Sequence, residues 1–247
     1  MNDNKNNLID WLKLQDIDID DPSSTTLNEL SAAVTNDKRF SDALNAYGRT
    51  AEYIDKLSKD YDFKYCCIKA IRVYPHFNTD LNIAIYKEDF SRIIKILEDL
   101  GWSRRSRWSQ FKEDIAERGK RKMVLNSNNQ LSEIHLYPGL SWHGFEYTSP
   151  NDVMLNRKYV TFQNTETYNT NNTLDIVSNI GHALFERYKF TAGEIFHVSS
   201  VIKEATSNEL EEAKKIANRN GWGKGLEKTI NLIINLRESE NIRYPLI

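Results

Sequence analysis

Apolar positions along this chain recur first at helical spacing, then in short β-compatible runs, then at helical spacing again. Ile9, Trp11, Leu12 and Leu14 open the pattern, and Asp21-Pro22 interrupts it, because the residue before a proline is pushed out of the helical region. Thr26-Leu27-Asn28-Glu29 has capping-box spacing, a hydroxyl followed three residues later by a carboxylate that can reach back. Ala43, Ala46, Tyr47, Ala51, Tyr53, Ile54 and Leu57 then continue one helical face. The period changes near Phe63. Residues 65–71 form a short apolar run and residues 81–86 a second, with Pro75 and Asn78 marking the loop between them. Phe90, Ile93, Ile94, Ile96, Leu97 and Leu100 predict an amphipathic helix ending at Gly101. Strands follow over 121–126 and 131–137, joined by the turn-forming residues 126–129.

From about Asn172 the helical period returns. Leu174, Ile176, Val177, Ile180, Ala183, Leu184 and Phe185 fit one helix; Ile195, Phe196, Val198, Val201 and Ile202 fit the next. Thr206-Ser207-Asn208-Glu209 repeats the capping-box spacing before a third, ending near Asn220-Gly221, and Leu226, Ile230, Ile233, Ile234 and Leu236 fit a last. The pattern predicts an α+β fold: a small mixed β-sheet, with helices on one side of it, flanked by N-terminal helices and a C-terminal helical bundle. The expected division is a helical segment over 1–60, an α/β core over 61–165 and a helical segment over 166–247.

Composition narrows the chemistry. The chain has 247 residues, and its 33 Lys+Arg against 35 Asp+Glu leave a formal net charge of −2, so it is no uniformly basic nucleic-acid coat. Its two cysteines, Cys66 and Cys67, are adjacent, which excludes a disulfide framework and a cysteine zinc site of usual spacing. No apolar run approaches a membrane span, and the polar first seven residues lack a signal peptide's apolar stretch, so a cytoplasmic protein without membrane contact is expected. His-Glu-x-x-His, a phosphate-binding Gly-rich loop of the Walker type and Gly-x-Ser-x-Gly are all absent, which disfavours zincins, P-loop NTPases and serine hydrolases.

Four stretches carry a resemblance. They are Ile68-Lys69-Ala70-Ile71-Arg72-Val73-Tyr74-Pro75, Thr79-Asp80-Leu81-Asn82-Ile83, Ile134-His135-Leu136-Tyr137-Pro138-Gly139-Leu140-Ser141-Trp142 and Gly181-His182-Ala183-Leu184-Phe185-Glu186. In this order they resemble the polymerase-β-type nucleotidyltransferase superfamily, and within it the archaeal group of nucleotidyltransferase-like proteins, over about two thirds of the chain. The resemblance implies transfer of a nucleoside monophosphate from an NTP to a hydroxyl, with release of pyrophosphate. It also implies Mg²⁺ or Mn²⁺ held by an Asp-x-Asp pair and a third acid on a later strand. Two residues apart on a strand, such side chains share a face and can hold ions that want oxygen ligands.

This sequence departs from that motif twice. Asp80 stands at the first acidic place, Asn82 at the second, and His135 where the later acid is expected, with Glu133 two residues before it on the same face. Asp80 and Asn82 are the expected metal ligands, and Asp80, Asn82, Glu133 and His135 the expected catalytic set. Asn brings an oxygen but no charge, and imidazole suits Zn²⁺, Ni²⁺ or Fe²⁺ better than Mg²⁺. Without the resemblance, Asp80 reads as a loop-to-strand cap and His135 as an ordinary strand histidine. The alternative function is therefore a catalytically inactive module of the same fold that binds a nucleotide, RNA or protein.

Lys69 and Arg72 fall near the place of the superfamily's phosphate-holding Gly-Ser turn, and either can meet a phosphate. Equally, both suit a solvated strand end. Arg104 and Arg105 open a basic stretch over 104–122 that also holds Arg107, Lys112, Arg118, Lys120, Arg121 and Lys122, with Trp102, Trp108 and Phe111 among them. Cations interleaved with aromatics bind phosphates and stack on bases, so Arg104 and Arg105 are expected to contact the triphosphate and the stretch to receive an RNA or protein acceptor. A solvated edge hairpin has the same composition. His182 and Glu186, four apart on a helix, can meet as a pair.

Overall fold

The computed structural model describes residues 38–70, 80–104, 120–125, 133–143, 145–162 and 165–238. The first expected helix, the Thr26 capping box and the 126–129 turn lie outside the described residues. The chain begins with helix α1 (Lys38–Asp60), then β1 (Tyr65–Cys67), β2 (Leu81–Ile85), α2 (Phe90–Asp99), β3 (Ser103–Arg104), β4 (Arg121–Val124) and β5 (Glu133–Tyr137). The hairpin β6 (Leu140–Trp142) and β7 (Phe145–Thr148) follows, then α3 (Pro150–Leu155), β8 (Arg157–Phe162) and β9 (Thr165–Thr170). The chain then turns helical: α4 (Asn172–Gly181), a wider π-type turn (His182–Arg187), α5 (Ala192–Glu204), α6 (Ser207–Arg219) and α7 (Gly223–Glu238).

Seven strands form one sheet in the order β3-β4-β5-β2-β1-β9-β8, while β6 and β7 pair separately. The sheet is mixed: β2 runs parallel to β5, and β1 parallel to β9, whereas the other neighbours are antiparallel. The α+β fold expected from the pattern, a mixed sheet flanked by N-terminal helical structure and a C-terminal bundle, is the fold observed.

Alternation explains how the sheet is covered. On β1, β2 and β5, Tyr65, Cys67, Leu81, Ile83, Ile85, Ile134 and Leu136 point to one face and pack with Tyr47 and Ile54 of α1 and Ile93 and Leu97 of α2. Cys66, Ala84 and Tyr137 point to the other and pack with Val153 of α3 and with α4 to α7. Helices therefore cover both faces, which corrects the expectation of one. A central strand with apolar residues at both parities has no face left for water.

Local chemistry fixes several ends. At the end of α2, Gly101 takes a left-handed φ of 91°, and Trp102 N–H returns to the Leu97 carbonyl at 2.9 Å. The Thr206 box closes as expected: its hydroxyl accepts from Glu209 N–H at 3.2 Å, and the Glu209 carboxylate accepts from Thr206 N–H at 2.8 Å. Thr191 and Glu194 make the same box on α5. The Thr206 N–H bond holds the Glu209 carboxyl below its ordinary range. Its contribution is therefore present above the ordinary glutamate range and is lost as pH falls through the lower, folded value. Thr206→Ala is expected to cost about 1 kcal/mol, measured by urea unfolding at neutral pH. The deficit should shrink as pH falls through the lowered Glu209 value, because the protonated carboxyl no longer accepts the Thr206 hydroxyl's bond as a carboxylate in wild type.

The hairpin β8–β9 was not anticipated from the sequence. It extends the sheet beyond β1, with Asn169 opposite Cys67, and places the expected division at 165 on the first residue of β9.

Candidate active site

Parallel pairing of β2 with β5 builds the site. Asn82 lies opposite His135 and Leu81 opposite Ile134, so one step back sets Asp80 level with Glu133. The even positions on β2 and odd positions on β5 face the helical bundle, and those positions carry polar groups near the strands' N-terminal ends. The structure thus brings Asp80, Asn82, Glu133 and His135 together on one face.

Their contacts are specific. Asp80 Oδ2 lies 3.0 Å from His135 Nδ1, and the other ring nitrogen, Nε2, meets Glu133 Oε1. Asn82 Nδ2 donates to Asp80 Oδ1 at 3.1 Å, and Tyr137 Oη donates to Asn82 Oδ1 at 2.8 Å. The amide orientation follows from its partner, since a carbonyl oxygen turned toward the Asp80 carboxylate would meet like charge. Asn82 therefore aims its oxygen at Tyr137 and steadies Asp80.

Two lysines close the floor of the site. Lys69 follows β1 in a left-handed conformation, φ 57°, next to Ile68, whose N–H donates to the Asn82 carbonyl at 2.9 Å. A left-handed backbone is costly for a residue with a Cβ and is found where surrounding structure imposes it. Lys69 Nζ lies 3.9 Å from Glu186 Oε1 and 6.0 Å from the Tyr137 ring centre. Lys120 Nζ lies 5.0 Å from the same ring, and that residue is 9% exposed. Burial pushes the Tyr137 phenol above its ordinary range, with the Lys120 ammonium opposing and the Glu186 carboxylate adding to the shift. Tyr137 is thus a neutral donor held between two cations.

Behind Lys69 lies a second polar group. Glu186, on the π-type turn, accepts from Tyr147 Oη at 2.5 Å and faces His182 Nδ1 at 3.1 Å. Burial and the Glu186 carboxylate push the Tyr147 phenol up, so it too is a neutral donor. The His182–Glu186 pair is the one the helical spacing foresaw. A π-type turn widens the helix by one residue and is common where side chains are aimed at a site; here it turns Glu186 toward Lys69.

The basic residues divide. Arg72, Arg105 and most of the 104–122 stretch lie outside the described residues. Arg104 sits opposite Met123, on the face covered by α2, and its Nε donates to Glu98 Oε1 at 2.5 Å. That places it across the sheet from Asp80, so it does not join the site. Lys122 pairs with His135 across β4–β5 and so shares the site's face. Sequence reasoning grouped Lys120 with the basic stretch and gave Tyr137 no role; the β5 period, Glu133-x-His135-x-Tyr137, was the available signal for the tyrosine. Cys66 and Cys67 are fully buried, and burial pushes the Cys67 thiol up to about 12, so neither offers a thiolate to this chemistry.

Asp80, Glu133 and His135 each offer one ligand atom, all within 4.8 Å of one another, the single such group among the described residues. Carboxylate oxygen with imidazole nitrogen is a donor set that fits one divalent cation. It does not supply the three carboxylates that a pair of Mg²⁺ ions would require. No helix among the described residues is long and apolar enough to cross a membrane.

The chain matches no protein-family model and no curated protein. Among solved structures it is similar to the lincosamide antibiotic adenylyltransferase LnuA in its lincomycin-bound form, at 14% identity and a TM-score of 0.41, over 62% of this chain and 94% of that one. It is also similar to an antigenic nucleotidyltransferase-like protein from Paracoccidioides brasiliensis, at 9% identity and a TM-score of 0.46, over 81% of this chain and 94% of that one.

Proposed function

We propose that this protein is a nucleotidyltransferase of the polymerase-β type, affiliated with the archaeal-type group, that transfers a nucleoside monophosphate from an NTP to a hydroxyl acceptor. The observation that supports this reading is the level pairing of Asp80 and Asn82 with Glu133 and His135 on central parallel strands, beside two buried lysines. Lys69 lies by Glu186 and Lys120 by the Tyr137 ring, and an ammonium so placed can also meet a phosphate as a point charge.

In the reaction the acceptor oxygen bonds to the α-phosphorus and the bond from that phosphorus to the bridging oxygen breaks. Pyrophosphate leaves with the electron pair, and the acceptor's proton passes to solvent. Lys69 and Lys120 hold the phosphates as point charges. Asn82 keeps Asp80 in place, and Glu133 does the same for the His135 ring. Asp80 and His135 would hold a divalent cation, Mg²⁺ or Mn²⁺ in the sequence expectation, which would supply positive charge to the phosphates. The acceptor hydroxyl belongs to an RNA or protein, which the basic residues of the 104–122 sequence suit by charge.

The test is calorimetry with each NTP, with and without a divalent ion, together with pyrophosphate release over a panel of hydroxyl acceptors. Asp80→Ala is expected to remove metal-dependent nucleotide binding and to cut turnover about 10²–10³-fold, the usual loss when a charged group at the reacting centre is removed. Metal-dependent binding that survives Asp80→Ala unchanged would overturn the assignment.

A further inference from the structure

We infer that the ion of this site is a first-row transition divalent cation such as Co²⁺, Zn²⁺ or Mn²⁺, bound through Asp80 and His135 Nδ1 in preference to Mg²⁺, with Glu133 orienting the imidazole from its far side. The inference deepens the reading above, on which it rests for the location of the site, and concerns which ion that location selects.

Three observations carry it. The first is spacing. Ligand atoms held about 2.1 Å from one ion stand about 3.0 Å apart at right angles and about 3.4 Å apart in a tetrahedron. Asp80 Oδ2 and His135 Nδ1 are 3.0 Å apart, so the two can grip one ion as they stand, a spacing that also serves an N–H···O bond when no ion is present. The second is the outer bond. A metal-binding histidine characteristically gives its other ring N–H to a carboxylate, which fixes the tautomer and strengthens the nitrogen as a ligand. Here Nε2 meets Glu133, which leaves Nδ1 as the nitrogen facing Asp80.

The third observation is the use made of Asn82. Its amide N–H holds Asp80 Oδ1, and its oxygen accepts from Tyr137. Among these four residues the oxygens turned toward an ion are therefore carboxylate alone, a set Mg²⁺ completes only with water and phosphate. Imidazole nitrogen adds little for Mg²⁺ and much for the later first-row ions.

The experiment uses the full chain, stripped with chelator and without nucleotide. Mg²⁺, Mn²⁺, Co²⁺ and Zn²⁺ are titrated separately by calorimetry, and Co²⁺ also by its visible absorption, whose position and intensity report nitrogen and oxygen ligation. Co²⁺ and Zn²⁺ are expected to bind at least about tenfold more tightly than Mg²⁺, a factor equal to about 1.4 kcal/mol. Glu133→Gln should weaken Co²⁺ about 10–100-fold, the usual cost of losing an outer hydrogen bond to a ligating histidine. His135→Asp, which restores the acid that the resemblance expects, should narrow the Co²⁺ over Mg²⁺ preference. Equal affinities of the wild-type protein for Mg²⁺ and Co²⁺ would overturn the inference, whatever the variants do. So would a Co²⁺ spectrum unchanged in a folded His135→Gln protein. Nucleotide transfer is measured separately: a protein that selects Co²⁺ but transfers no nucleotide keeps this inference and loses the reaction, and one that transfers with Mg²⁺ alone does the reverse.

Discussion

Replacing Glu186 with leucine is expected to lower the unfolding free energy by about 3–5 kcal/mol, the range for removing one member of a buried charged pair. Tyr147 Oη donates to that carboxylate at 2.5 Å, with His182 Nδ1 at 3.1 Å and the Lys69 ammonium at 3.9 Å beside it. The Lys69 and Glu186 side chains are only 8% and 9% exposed, so water cannot take the carboxylate's place without repacking. Leucine fills similar space but deprives the ammonium and the phenol of this acceptor. Urea unfolding followed by tryptophan fluorescence checks the figure, with Trp222 packed 5.5 Å from the Phe185 ring as a nearby reporter. The double variant Lys69→Met with Glu186→Leu should recover much of the loss, because a buried pair replaced by apolar residues of similar size is tolerated. A single-variant cost under about 1 kcal/mol would show that Glu186 is not what holds Lys69 in the interior.

That expectation turns on a residue whose neighbours the sequence concealed. The His182–Glu186 pair is visible from helical spacing, but its meeting with Lys69, more than a hundred positions earlier, comes only from the tertiary fold, which sets the π-type turn beside the end of β1. A period of two puts Asp80 with Asn82 and Glu133 with His135 on one face of each strand, but that the two strands meet was only what the resemblance implied. The partner of each atom was not legible: only register decides that His135 lies opposite Asn82, and only the competing donor Tyr137 decides where the Asn82 oxygen points. The basic stretch shows the same limit. Arg104 and Lys120 are alike in composition, yet pairing with Met123 sends Arg104 to the α2 face, while Lys120 enters beside Tyr137.

The sheet was read unevenly for related reasons. Leu81-Asn82-Ile83-Ala84-Ile85 looks one-sided because Asn82 is polar and Ala84 small, yet Ala84 is wholly buried against the bundle. That concealed the second helical layer. The hairpin β8–β9 has few apolar residues and a largely exposed outer strand, so hydrophobic alternation was weak there. Its signal lay in β-branched and aromatic content, Tyr159, Val160, Thr161, Phe162, Thr167 and Tyr168, which suits a half-solvated strand.

Gly181→Ala should then destabilise the protein by about 1–3 kcal/mol, the usual cost of forcing one extra carbon into a filled interior. A Cβ at Gly181 would lie 2.4 Å from Tyr147 Cδ2 and 2.8 Å from Cε2, distances that require something to move. The ring has little room. Tyr147 is wholly buried and stacks on Phe185 at 5.7 Å, and its own carbonyl accepts from Trp222 Nε1 at 2.9 Å. The backbone of β7 is thereby tied to the start of α7, so the ring and not the strand must give. Any tilt that clears the new methyl group also draws the phenol away from Glu186, which joins this site of overpacking to the polar group behind Lys69. Calorimetric melting should show a lower Tm, at about 2–4 °C per kcal/mol for a chain of this length. Tyr147→Leu combined with Gly181→Ala separates the two causes. If the clash dominates, Gly181→Ala costs less in the Tyr147→Leu protein than it does alone; simple additivity would place the damage in α4 itself.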